Sequence, residues 1–351
     1  MDKKQLNGFI DSISDRSNST ISGEDLKLIL EMATSDEPLF SEEILPADYK
    51  PETKKASVEL IERARKILDE VDKVIPSRQT LVVHPVRKET TVFDSKLGGR
   101  PYLPKNMDYP RVLSGEFEGE PLYLLTQLNF SMLPNIEGLP NKGILQFYVG
   151  CNGDDVFGVD FDDYRNQNGF RIIYHSDIID DEKLLMSEQE FLDLGIEDSE
   201  FIGEYLPFKG EFLLEYAGVQ NCPITANDYC FDNAVSSAYN KIYQDNICGV
   251  FSYKPNTVSL YNRDPELCDV ICEERTISGT RIGGYPYFTQ SDPRENDMYS
   301  EYNVLLFQLD SCGDGEDEII WGDCGVGNFF IKHSDLERLD FTDVLYTWDC
   351  C

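Results

Sequence analysis

Gly98-Gly99-Arg100-Pro101-Tyr102 and Gly283-Gly284-Tyr285-Pro286-Tyr287 are one phrase written twice. Paired glycines admit backbone angles closed to other residues, and the proline then fixes φ. Each string therefore predicts a tight bend leading into an extended segment. Further matches follow in order. Leu124-Leu-Thr-Gln-Leu-Asn129 returns as Leu305-Leu-Phe-Gln-Leu-Asp310, and His175-Ser-Asp-Ile178 as His333-Ser-Asp-Leu336. Asp154-Asp-Val-Phe-Gly158 is echoed by Asp317-Glu-Ile-Ile-Trp-Gly322, and Asn168-Gly-Phe170 by Asn328-Phe-Phe330. Ordered repeats of this kind predict an internal duplication. The first copy is placed at about 80–178, a helical middle at about 180–245 and the second copy at about 249–351. An extra strand around Gln146 in the first copy would account for the drifting offset.

The rest of the chain fills in around that repeat. Residues 1–50 read as a helical extension, with Leu6, Phe9, Ile10 and Ile13 on one stripe and Ser22 with Asp25 ahead of Leu26. A longer helix is expected from about Glu52 to Val74, with Val58, Ile61, Ile67, Leu68 and Val71 on one face, ended by Pro76. Leu81-Val82-Val83 reads as a first strand limited by Pro85. Gly143–Val149 and Phe170–Tyr174 read as further strands, and Asn152-Gly153 as a hairpin turn. Ser187 caps a short helix, Asp228–Tyr243 forms a longer one, and Gly249–Tyr253 resumes the strands. The copies have no Pro/Ser-rich linker between them. Residues 51–351 are thus expected to form one duplicated body.

The formal charge of -34 is unevenly placed: residues 1–100 carry 16 Lys and Arg against 19 Asp and Glu, and residues 101–351 carry 15 against 46. A surface this acidic repels nucleic-acid phosphate and anionic lipid, and attracts basic proteins or divalent cations. No stretch approaches the ~20 apolar residues of a membrane span, and Met1-Asp-Lys-Lys-Gln5 has no secretory apolar core, so a cytoplasmic protein is expected. The ten cysteines are scattered without a C-x-x-C pair and are expected to be reduced thiols, not zinc ligands.

Catalytic chemistry is not written in these residues. A histidine followed by Ser-Asp is not a triad, because nucleophile, base and acid must converge in space; helix capping explains those strings better. Asp314, Glu316 and Asp317 crowd an acidic loop that lacks EF-hand spacing, which makes them weak candidates for Ca²⁺ ligands. Gln127, Asn129, Gln146 and Gln308 are polar residues in apolar strands and could face a groove between the copies. Trp321, Asp323, Trp348 and Asp349 pair the two tryptophans with carboxylates, the mix found in ligand clefts, and Asp310 joins them as a further carboxylate. No cofactor is expected.

Five strings carry a family likeness: Leu97-Gly-Gly-Arg-Pro-Tyr-Leu-Pro104, Gly143-Ile-Leu-Gln-Phe147, Ile282–Pro293, Trp321–Phe330 and Val344–Asp349. Over roughly residues 80–351 the sequence resembles the YwqG-like family, a domain of unknown function. The resemblance implies a mainly β (α+β) fold, an internally duplicated, rolled or barrel-like sheet with N-terminal and mid-chain helices. It implies no established activity and transfers no catalytic residues; some relatives are connected with bacterial toxin systems as immunity proteins. The expected function is a cytoplasmic binding protein for a basic protein partner. The alternative is a small-molecule or peptide site, hydrolase-like, in a carboxylate-lined cleft between the copies.

Overall fold

The computed structural model describes residues 56–150, 156–196, 206–251, 257–315 and 318–350. The helical extension over residues 1–50 and the Asn152-Gly153 turn lie outside them. Residues from Ala56 onward form one compact unit.

Helix α1 (Val58–Val74) starts where the Ser57 hydroxyl accepts from the Leu60 N–H at 3.2 Å. It buries Ala64, Ile67, Leu68 and Val71 against α3 (Phe231–Tyr243) and α5 (Pro265–Arg275), while Val58, expected on that stripe, is exposed. The short α2 (Glu188–Leu192) is capped by Ser187, whose partner Glu190 completes a capping box. A one-turn helix, α4 (Leu260–Arg263), precedes α5. Among the described residues no helix is long and apolar enough to cross a membrane.

Among the described residues ten strands make a single antiparallel, rolled, nearly closed sheet. They are β1 (Arg78–Arg87), β2 (Lys96–Leu97), β3 (Tyr123–Asn129), β4 (Ile144–Val149), β5 (Phe170–His175), β6 (Phe212–Cys222), β7 (Arg281–Gly283), β8 (Val304–Asp310), β9 (Val326–Ile331) and β10 (Val344–Asp349). Their spatial order is β10-β9-β8-β7-β1-β6-β2-β3-β4-β5. Matching β1–β5 to β6–β10 makes that order symmetric about the central β1–β6 pair. It also shows an exchange: β1 lies beside β7 of the second copy, and β6 beside β2 of the first. Each copy is completed by the other's first strand, so neither half closes without its partner.

The duplication is written in hydrogen bonds. The Tyr102 N–H donates to Gln127 Oε1 at 2.9 Å, and the Tyr287 N–H to Gln308 Oε1 at 2.7 Å. Gln146 Nε2 donates to the Tyr102 carbonyl and Asn328 Nδ2 to the Tyr287 carbonyl. The Ser95 hydroxyl accepts from the Asn129 N–H as the Thr280 hydroxyl does from the Asp310 N–H. Gly98, Gly99, Gly283 and Gly284 all have positive φ, between 62° and 82°, as the paired glycines predicted. Register slips fall at the same place in both copies, between Leu124 and Thr126 and between Leu305 and Phe307.

Several expectations are corrected by this register. Strand β4 is the counterpart of β9, so Gln146 marks no extra strand. The offset drifts mostly because the strings at 154–158 and 317–322, like the later ones, occupy non-equivalent positions (the β4–β5 and β8–β9 connections), and in lesser part because the β4–β5 connection is longer than the β9–β10 one. The two His-Ser-Asp strings are not equivalent: His175 ends β5 and corresponds to Asp349, whereas His333 opens α6 (His333–Glu337) between β9 and β10. Nor are Asn168 and Asn328 equivalent. Helix α6 has Lys332 at its N-cap with no side-chain cap. The second copy begins at β6, inside the stretch read as helical. Pro85 does not end β1, because beyond Val83, whose N–H still bonds the Thr280 carbonyl, that strand pairs only with β6 and its other side needs no N–H. Gly249–Phe251 form no strand; the Val250 and Phe251 N–H groups donate to Asp232 Oδ1.

The inner face of the roll is packed with aromatic rings from both copies. Phe329 stacks on Tyr346 at 4.3 Å and meets Phe147 at 4.8 Å; Phe147 meets Phe307 at 5.9 Å and Phe170 meets Tyr346 at 5.2 Å. These rings belong to one buried cluster shared by the two copies. The two sheet edges, β5 and β10, approach one another along a seam. At its middle Gln167 Nε2 donates to the Phe341 and Thr342 carbonyls, and the Tyr346 N–H to the Tyr164 carbonyl.

Candidate functional site

The polar strand residues singled out from sequence fall into two separate sets. Gln127 and Gln146 are fully buried and bind each other, the Tyr102 backbone and the Val92 and Asp94 carbonyls. Asn129 Nδ2 donates to the Phe93 carbonyl. In the second copy Gln308 accepts from the Tyr287 N–H and donates to the Gly279 carbonyl, and Asp310 accepts from the Gly279 N–H. Each set fastens its own Gly-Gly-x-Pro-Tyr segment to the outer face of the sheet. Neither set lines a cleft at either end of the seam.

Trp348 and Asp349 belong instead to an open cleft of about 540 Å³ at the β10 end of the seam. Both copies build it. The β4–β5 connection of the first contributes Phe161 and Tyr164, and the β7–β8 connection of the second contributes Gln290, Glu295 and Tyr299. Phe161 meets Trp348 at 6.2 Å and Tyr164 at 6.3 Å, and Tyr164 meets Tyr299 at 5.5 Å, giving a wall of edge-to-face rings. Phe161 is 56% exposed, unusual for so large an apolar ring. Tyr299 already carries a cation of its own chain, the Arg165 guanidinium, 5.8 Å from the ring centre.

Asp349 is held by the Thr289 and Gln290 N–H groups, at 3.2 and 2.7 Å. Burial nevertheless raises its pKa above the ordinary carboxylate range, because those bonds offset the lost hydration only in part. Glu295 is raised too, by desolvation and then by Asp292 and Asp232. Asp292 is satisfied by Arg294 in a buried pair, so Asp349 and Glu295 are the carboxylates left to a ligand. Among the described residues no Lys or Arg lines the cleft.

The remaining candidates sit elsewhere. Trp321 is wholly buried behind the cleft, 4.9 Å from Phe157 and 6.3 Å from Trp348, and its Nε1 has no partner among the described residues. Asp310 lies two strands from Asp349 in register; burial raises its pKa and Asp349 adds to the rise, but it does not line the cleft. Asp323 and Asp314 are exposed, and Glu316 and Asp317 fall outside the described residues. Among the described residues no three His, Cys, Asp or Glu converge as a metal site, and the described cysteines are free thiols.

A domain of unknown function, DUF1963, matches residues 95–350. The chain belongs to that family. The DUF1963 match runs from β2 to β10 and so spans both copies except β1, the strand that completes the second. No curated protein matches the chain.

Of the residues named from sequence, Trp348 and Asp349 line this cleft; Phe161, Tyr164, Glu295 and Tyr299, which line it as well, were not named. The signal was present in Phe161-Asp-Asp-Tyr164, where two aromatic residues flank two acids, although it reads equally well as a solvated turn. The acids there do form such a turn: Asp160 accepts from the Asp162 and Asp163 N–H groups, and Asp163 pairs with Arg165.

Proposed function

We propose that this protein is a non-catalytic binding module of the YwqG-like kind, and that the β10 cleft takes a cationic side chain of a basic protein partner. The observation that carries this reading is the meeting of aromatic walls with two partly desolvated carboxylates that have no cationic partner in the cleft lining, Asp349 and Glu295. An ammonium or guanidinium gains ring quadrupole and carboxylate at once, and it relieves the desolvation that raises Asp349. The net charge of -34 would steer such a partner in at low salt and lose that effect at high salt. The basic toxin domain suggested by the family resemblance is one protein of this chemistry. The hydrolase-like alternative is less favoured, because Asp310 and Asp349 do not face a common cleft.

Binding of an oligolysine peptide to the immobilised protein tests the proposal. Asp349→Asn should weaken binding by about tenfold, the scale of one partly desolvated charge contact. Asp323→Asn, which removes the same charge from an exposed site, should leave it nearly unchanged. Equal losses in the two variants would reduce the interaction to bulk charge and refute a role for the cleft.

A further inference from the structure

The internal duplication gives the β10 cleft a twin at the other end of the seam. There β5 replaces β10, the β9–β10 connection replaces the β4–β5 one, and the β2–β3 connection replaces the β7–β8 one. The result is a cleft of about 610 Å³. Tyr174 stands where Trp348 does, and its ring lies 5.1 Å from Phe341. The chemistry has diverged. Arg111 and Arg171 balance Asp108 and Asp340, and the rim is apolar, with Leu113 59% and Leu339 41% exposed.

The wall of this cleft is a free strand edge. The Gly150 N–H bonds the Gly169 carbonyl at 2.6 Å, and alternation from that pair turns the backbone groups of Ile172 and Tyr174 away from β4. The Ile172 N–H is met by Gln167 Oε1 at 3.3 Å. Among the described residues no backbone bond reaches the Tyr174 N–H or carbonyl from the outer side. Four consecutive residues, Arg171–Tyr174, line the cleft, as a strand seen from its edge does.

We propose that this second cleft binds an extended, uncharged apolar peptide segment of a partner, added to β5 as a further strand. Backbone pairing with Tyr174 supplies register, and the apolar rim takes alternate side chains. The cancelled charges of the cleft argue for a neutral segment, in contrast to the cationic group suited to the β10 cleft. The two sites are independent, and this one stands whether or not the other binds cations.

The test uses the ¹⁵N-labelled full chain and a capped hexapeptide of alternating threonine and valine. The peptide should shift the amides of Arg171–Tyr174 and Leu339–Thr342 and slow exchange of the Tyr174 N–H. Leu113→Glu, at an exposed rim position, and Tyr174→Pro, which removes an edge donor, should each weaken binding by about tenfold, one lost contact each. Asp349→Asn should leave it unchanged, which separates this outcome from the cation reading. Absence of binding, full affinity in both cleft variants, or an equally good fit by the same peptide with a central proline would overturn the proposal. Concentration-dependent protection of Tyr174 without peptide would overturn it as well, assigning the edge to a second copy of the chain.

Discussion

Gln127→Leu should cost about 4 kcal/mol of folding stability, enough to leave a domain of ordinary stability barely folded. The side chain is fully buried and close to leucine in size, so the loss is polar and not a cavity. Its removal strands the Tyr102 N–H and the Val92 and Asp94 carbonyls, and each buried group left unpaired costs about 1–3 kcal/mol. Gln146 Nε2 is spared because it keeps the Tyr102 carbonyl. The counterpart change, Gln308→Leu, strands the Tyr287 N–H but leaves the Gly279 carbonyl, only partly buried, with the Arg281 Nε donor at 3.3 Å, and should cost about half as much or less. Urea denaturation of the two variants measures the difference. Equal losses, or a loss below about 1 kcal/mol for Gln127→Leu, would show that water or relaxation satisfies these groups.

The second large effect is acid destabilisation through His175. Its ring is 7% exposed, sits edge-on to Tyr102 at 4.9 Å and places Nε2 2.9 Å from Gln146 Oε1. Burial lowers its pKa to about 4. The unfolded chain binds the same proton near the ordinary value of about 6.5. Stability conferred by neutral His175 is therefore complete above about pH 6.5 and is lost as pH falls towards the folded value, by up to about 3 kcal/mol in total. His175→Gln should flatten this part of the stability profile between those two limits. Melting curves across that window check it; an unchanged slope in the variant would place the acid sensitivity elsewhere. The counterpart Asp349 behaves oppositely. Its raised pKa favours protonation in the folded state, so its ionised form opposes folding at neutral pH, and that penalty disappears as pH falls through the folded pKa.

The repeat was legible because both copies solve one local problem with the same residues. Left-handed backbone at Gly98, Gly99, Gly283 and Gly284 demands glycine, and the following tyrosine N–H demands a glutamine on the next strand. The exchange of β1 and β6 was not legible, since pairing partners far apart in sequence leave no local mark. Strand β6 itself was hidden by its composition: Glu215, Tyr216, Gln220 and Asn221 are exposed and break the apolar run that betrays a strand. The His-Ser-Asp match misled because the repeat of a short polar string requires no shared geometry. At the candidate site, the strand residues Trp348 and Asp349 could be picked out, whereas Phe161, Glu295 and Tyr299 come from connections whose path only the seam between the copies determines.

A binding role for the β10 cleft requires its aromatic rings and carboxylates to accept a cation. With only two tryptophans, the ¹⁵N spectrum holds two indole N–H signals, assignable with Trp348→Phe. Titration with oligolysine should move the Trp348 signal saturably, move that of buried Trp321 far less, and lose most of the effect in Asp349→Asn. A Trp348 signal that stays still, or that moves equally in the variant, would contradict it.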